Sequence, residues 1–178
     1  MTPDAREPVV DALGRALSDV LGDVTGADVV DLACGDGAVA RWLVGAGARS
    51  VLALDLDPDA LGRARAVAAR AGGDQERVLY EQADLEQATL PFEAYDLAWA
   101  PGVLATTTDP VRTARMLRAG LRPYARLVAT VPATAAGRVV AALGEALLDE
   151  VVVTAAAPGA MAPGEVVVTA RKPPRRRP

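Results

Sequence analysis

The feature that most restricts the fold is the strict alternation of two hydrophobic periods along the chain. Short apolar runs at residues 28–33, 50–55, 77–81, 95–100 and 126–131 have strand character. Between them, over residues 37–45, 58–71, 109–119 and 134–148, apolar positions recur at helical spacing. Asp57-Pro58 and Asp109-Pro110 each place a capping carboxylate before a proline at the first helical position, so both are helix starts. An amphipathic helix over residues 6–22 precedes the series, with Val9, Val10, Leu13, Ala16, Leu17, Val20 and Leu21 on one stripe. Strand–helix–strand repetition demands right-handed crossovers and a parallel sheet covered on both faces. Two further runs, 150–155 and 165–170, have no helix between them and form an antiparallel hairpin at one edge. The expectation is an open, doubly wound α/β fold with a mostly parallel seven-stranded sheet.

At 178 residues the chain is one domain, expected over 1–171, with residues 1–23 as an N-terminal helix or lid. Composition narrows the chemistry. There is no His, Asn or Ile, and Lys172 is the only lysine among 19 basic residues, a usage suggesting a high-GC bacterium. Without His there is no Ser-His-Asp or Cys-His couple and no imidazole metal site, so no metal is expected. The single cysteine, Cys34, excludes an intrachain disulfide. No apolar run reaches the length of a membrane span, and Asp4, Arg6 and Glu7 rule out a signal peptide at the start, so a cytoplasmic protein without membrane contact is expected. Net charge is −4, but residues 171–178 carry five positive charges, leaving −9 on the remainder. A body that acidic repels nucleic acid, and the basic end over 172–178 is expected to be a disordered, solvated tail.

In such a sheet, ligands bind at the carboxyl ends of the strands. The first strand runs into Asp31-Leu32-Ala33-Cys34-Gly35-Asp36-Gly37, a loop of small residues opening a helix, where backbone can approach a ligand and free N–H groups are available. Asp55 ends the second strand, 18 residues after Gly37, where a carboxylate can accept both hydroxyls of a ribose. Gly35-x-Gly37-x-x-Ala40 also satisfies the nicotinamide-dinucleotide fingerprint. Asp31 separates the two readings, because a pyrophosphate site has no use for negative charge there, whereas a ligand with an ammonium and a sulfonium does.

On these residues the chain resembles the class I S-adenosyl-L-methionine-dependent methyltransferases. Residues Val29 to Gly37 are similar to the first motif of that family, and Leu54-Asp55-Leu56-Asp57-Pro58 to the second. Gln82-Ala83-Asp84-Leu85, followed by Leu90-Pro91-Phe92, resembles the adenine-contacting segment after strand three. Tyr95-Asp96-Leu97-Ala98 resembles the fourth-strand motif, and Leu117 to Leu127 the approach to strand five. The resemblance spans residues 24–172 and implies S-adenosyl-L-methionine as cofactor. It implies that Asp31 and the backbone of Ala33, Cys34, Gly35, Asp36 and Gly37 hold the methionine end. By the same resemblance, Asp55 takes the ribose and Leu56 lies against adenine. Asp84 accepts from the adenine amino group, the Leu85 N–H faces a ring nitrogen, and Ala100 with Pro101 lines the methyl-transfer side.

Departures from the family pattern limit the acceptor. Ala33 stands at the usual first glycine, and a positive φ there would strain it. Tyr124-Ala125 replaces a usual glycine pair, and Pro101-Gly102-Val103-Leu104-Ala105-Thr106 lacks both the histidines of small-molecule relatives and the (Asp/Asn)-Pro-Pro-aromatic signature of amino-group methylation. Methylation of DNA bases or of glutamine is therefore disfavoured. No catalytic residue is assigned. Asp109, Tyr95 and Tyr124 are candidate bases that also read as a cap and as packing contacts, and Trp99 reads as either a substrate wall or core. Asp57 reads as a cap, Asp96 as structural, Cys34 as filler, and Arg112, Arg115, Arg118 and Arg122 as one solvated helix face. The chain passes almost directly from Val131 to the next helix, so a small-molecule acceptor, a partner protein or a second subunit must complete the site. The expected function is methyl transfer to a small molecule, in bacterial specialised metabolism. The rivals are a noncatalytic binding or scaffold protein of the same fold and an NAD-dependent oxidoreductase; the latter is disfavoured by Asp31, by Asp84 and by the lack of a Tyr-x-x-x-Lys relay.

Overall fold

Local capping chemistry starts the helices where the Asp-Pro pairs stand. In a computed structural model, which describes residues 7–155 and 162–175 with 7–12 as backbone only, Asp57 accepts the Asp59 N–H at 2.8 Å. Asp109 likewise accepts the Arg112 N–H at 2.9 Å. Each cap contributes about 1 kcal/mol to its helix. The elements in order are α1 (Glu7–Leu21), β1 (Asp28–Leu32), α2 (Ala38–Gly45), β2 (Ser50–Asp55), α3 (Pro58–Ala71), β3 (Val78–Gln82) and β4 (Tyr95–Trp99). Then come α4 (Val103–Thr106), α5 (Pro110–Gly120), β5 (Leu121–Pro132), α6 (Ala136–Glu145), β6 (Asp149–Ala155) and β7 (Glu165–Arg171).

The seven strands pair in the order β3-β2-β1-β4-β5-β7-β6. The first five are parallel, and β7 runs antiparallel to both β5 and β6. Two apolar layers sandwich the sheet. On one face Val30, Leu32, Leu54, Leu127 and Ala129 pack under Leu104, Leu117 and Leu143 of α4, α5 and α6. On the other, Val29, Val51, Ala53, Leu97, Trp99 and Val128 pack under Leu17, Leu21, Leu43, Val44 and Leu61 of α1, α2 and α3. Each fully buried leucine contributes about 2 kcal/mol by leaving water, which makes this layer pairing the main source of stability. Among the described residues, no helix is long and apolar enough to cross a membrane.

The amino ends of the strands are held by ion pairs. Arg122 reaches Asp96 at 2.7 Å and Asp28 at 2.9 Å. Asp28 also bonds Arg49 and accepts from the Ser50 hydroxyl at 2.7 Å. Asp96 receives the Asp28 N–H at 2.9 Å, so its role is structural, as expected.

Three expectations need correction here. First, β5 begins at Leu121, five residues early, because Tyr124 at φ +67° lets the chain kink and stay paired. Arg122 therefore lies on this strand rather than on the α5 face, and its charge is spent on Asp28 and Asp96. Second, the segment after β5 forms a 3-10 turn over Ala133–Ala135 before α6, and α6 ends at Glu145, short of the expected 148. Third, Lys172, the first residue of the basic end, is buried rather than solvated, whereas Pro174 and Arg175 are exposed. Lys172 is 5% exposed and donates to the Leu121 carbonyl at 2.7 Å and to Glu93 at 3.0 Å. Glu93 also takes Arg175, and the two cations hold its carboxyl down at about 2. Residues 176–178, and residues 1–6 of the expected lid, lie outside the described residues.

Candidate functional site

At the carboxyl end of β1 the backbone turns through three left-handed positions, Ala33 at φ +54°, Gly35 at +55° and Gly37 at +76°. Gly37 is required twice over. A Cβ there would stand 2.6 Å from the Tyr80 ring and hydroxyl, and its φ is one that side chains avoid. Ala33 adopts such a φ with a methyl group, the strain that the sequence pointed to, and it costs about 1–2 kcal/mol. The loop is pinned by the neighbouring strand. Asp55 accepts the Gly35 N–H at 2.7 Å with one oxygen and the Asp57 N–H at 2.9 Å with the other. The Cys34 N–H bonds Leu54 O at 3.0 Å, which aligns the loop with the end of β2.

A cleft of about 220 Å³ opens beside this loop, lined by Ala33, Asp55, Leu56, Asp84, Leu85, Glu86, Val103, Thr106 and Thr107. The structure therefore brings Ala33, Asp55, Leu56, Asp84 and Leu85 of the expected site around one opening. Leu56 is 63% exposed there, an apolar side chain presented rather than packed. Asp84 is partly engaged, accepting the Glu86 N–H at 3.0 Å and the Gln87 side-chain amide at 2.8 Å. Cys34, Gly35, Asp36 and Gly37 form the loop behind the cleft and are not among its lining residues. Ala100 is fully buried with its N–H bonded to Val128 O at 2.9 Å, so only its carbonyl could face a ligand.

Asp31 is the most unusual group of the site. It is 1% exposed, and its Oδ2 has no hydrogen-bond partner. Burial, followed by the negative charge of Asp55, pushes its carboxyl up to about 8, against which only the Ala40 N–H acts. Cys34 is half-buried next to it; burial and then the charges of Asp31 and Asp55 push its thiol up to about 12, which makes it an inert filler.

The candidate bases are elsewhere or occupied. Asp109 is spent as a cap, while Tyr95 and Tyr124 lie toward the amino ends of β4 and β5, away from the cleft. Trp99 is 3% exposed in the layer under α1 and α2, hence core. Sequence reading missed Glu86, Thr106, Thr107 and Val103, which complete the cleft. Leu85 beside Glu86 was the available signal, but loop proximity across more than twenty residues leaves no periodic trace.

These residues fit a cationic nucleoside. A buried acceptor without a partner, an exposed leucine, and a lining with no lysine or arginine among the described residues all suit S-adenosyl-L-methionine. Comparisons with known proteins agree. The sequence profile described as methyltransferase domain matches residues 29–124. No curated protein sequence matches the chain. Among solved structures, an S-adenosylmethionine-dependent methyltransferase from Mesorhizobium loti is 26% identical, with a TM-score of 0.74 over 91% of this chain and 99% of that one. The [4+2]-cyclase SpnF shares the fold at 18% identity and TM-score 0.74, covering 94% of this chain and 82% of its own. So does phosphoethanolamine N-methyltransferase 2 from Haemonchus contortus, solved with S-adenosyl-L-methionine, at 11% identity and TM-score 0.77 over 92% of this chain and 53% of that one.

Proposed function

The chain belongs to the methyltransferase-domain family, and from that premise we propose that it transfers a methyl group from S-adenosyl-L-methionine to a small-molecule acceptor. The observation that carries this reading is the carboxyl end of the sheet, where Asp55 and Asp84 line the cleft, the buried Asp31 feels the Asp55 charge, and no lysine or arginine among the described residues lines the opening.

When bound, the cofactor supplies a methyl group on an electrophilic sulfonium. In the proposed arrangement Asp31 faces the ammonium, Asp55 takes the ribose hydroxyls while holding the loop, Leu56 and the Asp84–Leu85 turn take the base, and the Ala100 carbonyl borders the transfer side. Among the described residues, the titratable groups lining the cleft are Asp55, Asp84 and Glu86. Glu86 is held ionised below its ordinary range by the Thr108 N–H and hydroxyl, and so is a poor base. The acceptor must therefore bring a nucleophile with a free lone pair at neutral pH. Alignment of that nucleophile supplies the catalysis, an effect of several kcal/mol without proton transfer. A small acceptor, a partner protein or a second copy of the chain completes the shallow cleft, with α1 as a lid. A cytoplasmic bacterial enzyme of specialised metabolism suits the composition.

A noncatalytic binding protein is the second reading, favoured by Ala33, whose strained backbone and methyl group border the cleft. The two are separated by incubating the protein with S-adenosyl-L-methionine and a panel of amines, thiols, carboxylates and phenols, reading S-adenosylhomocysteine by mass spectrometry. Acceptor-dependent product that disappears in Asp55→Ala supports the enzyme. Cofactor binding without product on any acceptor class supports the binding protein.

A further inference from the structure

Glu86 lines the cleft, yet its carboxylate bonds to a different loop from its own. It follows β3 by four residues, two beyond Asp84. Its Oε1 accepts the Thr108 N–H at 2.7 Å and the Thr107 hydroxyl at 3.2 Å, and its Oε2 accepts the Thr108 hydroxyl. The Thr107 hydroxyl lies 3.1 Å from that of Thr113 on α5, which donates to the Asp109 carbonyl at 3.2 Å. On its other side, the Glu86 N–H bonds Asp84 at 3.0 Å. Hydrogen bonds thus tie Asp84 through Glu86 to Thr107 and Thr108, and both loops border the same cleft.

Among the described residues, no other carboxylate is seen to join these two loops, and bonds to an ionised acceptor are the strong ones. We propose that Glu86 is a positioning residue coupling the two halves of the site. Contact of the cofactor with the Asp84–Leu85 turn is passed through the Glu86 carboxylate to residues 105–109 and so shapes the acceptor side. This inference rests on the cofactor reading above. Coupling of this kind is reciprocal: an acceptor that engages residues 105–109 tightens cofactor binding by the same factor.

The test is amide hydrogen exchange of the full chain with and without saturating S-adenosylhomocysteine, the demethylated product. In the unaltered protein, exchange should slow about tenfold both at 84–88 and at 105–109. In Glu86→Ala, slowing should persist at 84–88 and vanish at 105–109. In Glu86→Gln, which keeps an acceptor for the Thr108 N–H, part of it should return. Protection of the β1 and β4 amides without ligand reports whether each variant is folded, and if Glu86→Ala is not, Glu86→Gln decides by a reduced response at 105–109. Slowing at 84–88 alone in the unaltered protein, or full slowing at 105–109 in the folded variants, overturns the coupling while leaving the cofactor reading intact. No slowing at 31–37 or at 84–88 overturns the cofactor reading and the coupling with it.

Discussion

Asp28 and Asp31 stand three residues apart on β1, at opposite ends of the same strand, and their surroundings are opposite in kind. Asp28 meets Arg49, Arg122 and the Ser50 hydroxyl. The Arg49 hydrogen bond is foremost in holding its carboxyl well below the ordinary range, with Ser50 and Arg122 adding to it against burial. Asp31 is more deeply buried, has one unpartnered oxygen, faces the charge of Asp55, and holds its proton up to about 8. The amino end of the sheet thus offsets burial of charge with cations, which is what a structural staple requires. The carboxyl end gathers carboxylates and leaves Asp31 without a cation among the groups that shift it. That arrangement costs folding free energy, and a ligand that brings positive charge is what recovers it.

The sharpest break of this contrast is steric. Gly37→Ala should push the loop off Tyr80 and cut S-adenosylhomocysteine affinity by about a hundredfold or more, because about 3 kcal/mol of clash and backbone strain falls at the site. Calorimetric titration reads this, and near-normal affinity would show that the loop does not hold the cofactor. Next come the two neutral isosteres. Asp28→Asn should lower unfolding free energy by about 2 kcal/mol, since Arg49 and Arg122 lose a partner, and leave binding unchanged. Asp31→Asn should cost less than about 1 kcal/mol, replacing a group already largely neutral, and weaken binding about tenfold or more. Chemical denaturation together with calorimetry separates the pair, and matching profiles for the two variants would erase the distinction between the ends.

A titration sharpens the same contrast. Asp31 holds its proton in the folded state to about pH 8, whereas an unfolded aspartate releases it near pH 4. Between those values the folded chain binds more protons, so stability falls as pH rises through the window and levels off above it. Asp28 works with the opposite sign. Its folded value is depressed, so its contribution is complete above about pH 4 and disappears in acid. Because the chain has no histidine, the range from pH 5 to 7 is nearly free of other titrations. The melting temperature should decline from pH 5 to 8 in the unaltered protein and stay flat in Asp31→Asn. The smallest expected effect is Ala33→Gly, which removes αL strain but loosens the unfolded chain, for a net gain of about 0.5–1 kcal/mol and slightly tighter binding. A loss of stability there would mean that the methyl group packs usefully.

Much of this was legible in the sequence, and the parts that were not share a physical reason. The strand–helix series, the caps at Asp57 and Asp109 and the Asp31-to-Gly37 loop are written in local spacing, and they appear where the sequence puts them. Arg122 was hidden because Pro123 and Tyr124 interrupt the strand alternation, so the helical spacing of the arginines seemed to continue. Lys172 was hidden because a lysine before two prolines and three arginines looks solvated, whereas its ammonium is buried against Glu93 and the Leu121 carbonyl. Glu86 could not be found because its partners, Thr107 and Thr108, come within reach only once β3 and β4 are placed in the sheet.

The central claim, that the carboxylates at the carboxyl end form a cofactor site and those at the amino end a staple, meets its most direct test in one calorimetric series. S-adenosyl-L-methionine and S-adenosylhomocysteine are titrated into the unaltered protein, Asp55→Ala and Asp28→Asn, with NAD as control. The expected result is affinity in the micromolar range, roughly 8 kcal/mol, for both sulfur compounds. That affinity should fall at least about thirtyfold in Asp55→Ala, stay unchanged in folded Asp28→Asn, and be absent for NAD. Equal affinity in Asp55→Ala, or no binding of either sulfur compound to the unaltered protein, would contradict the assignment of the site.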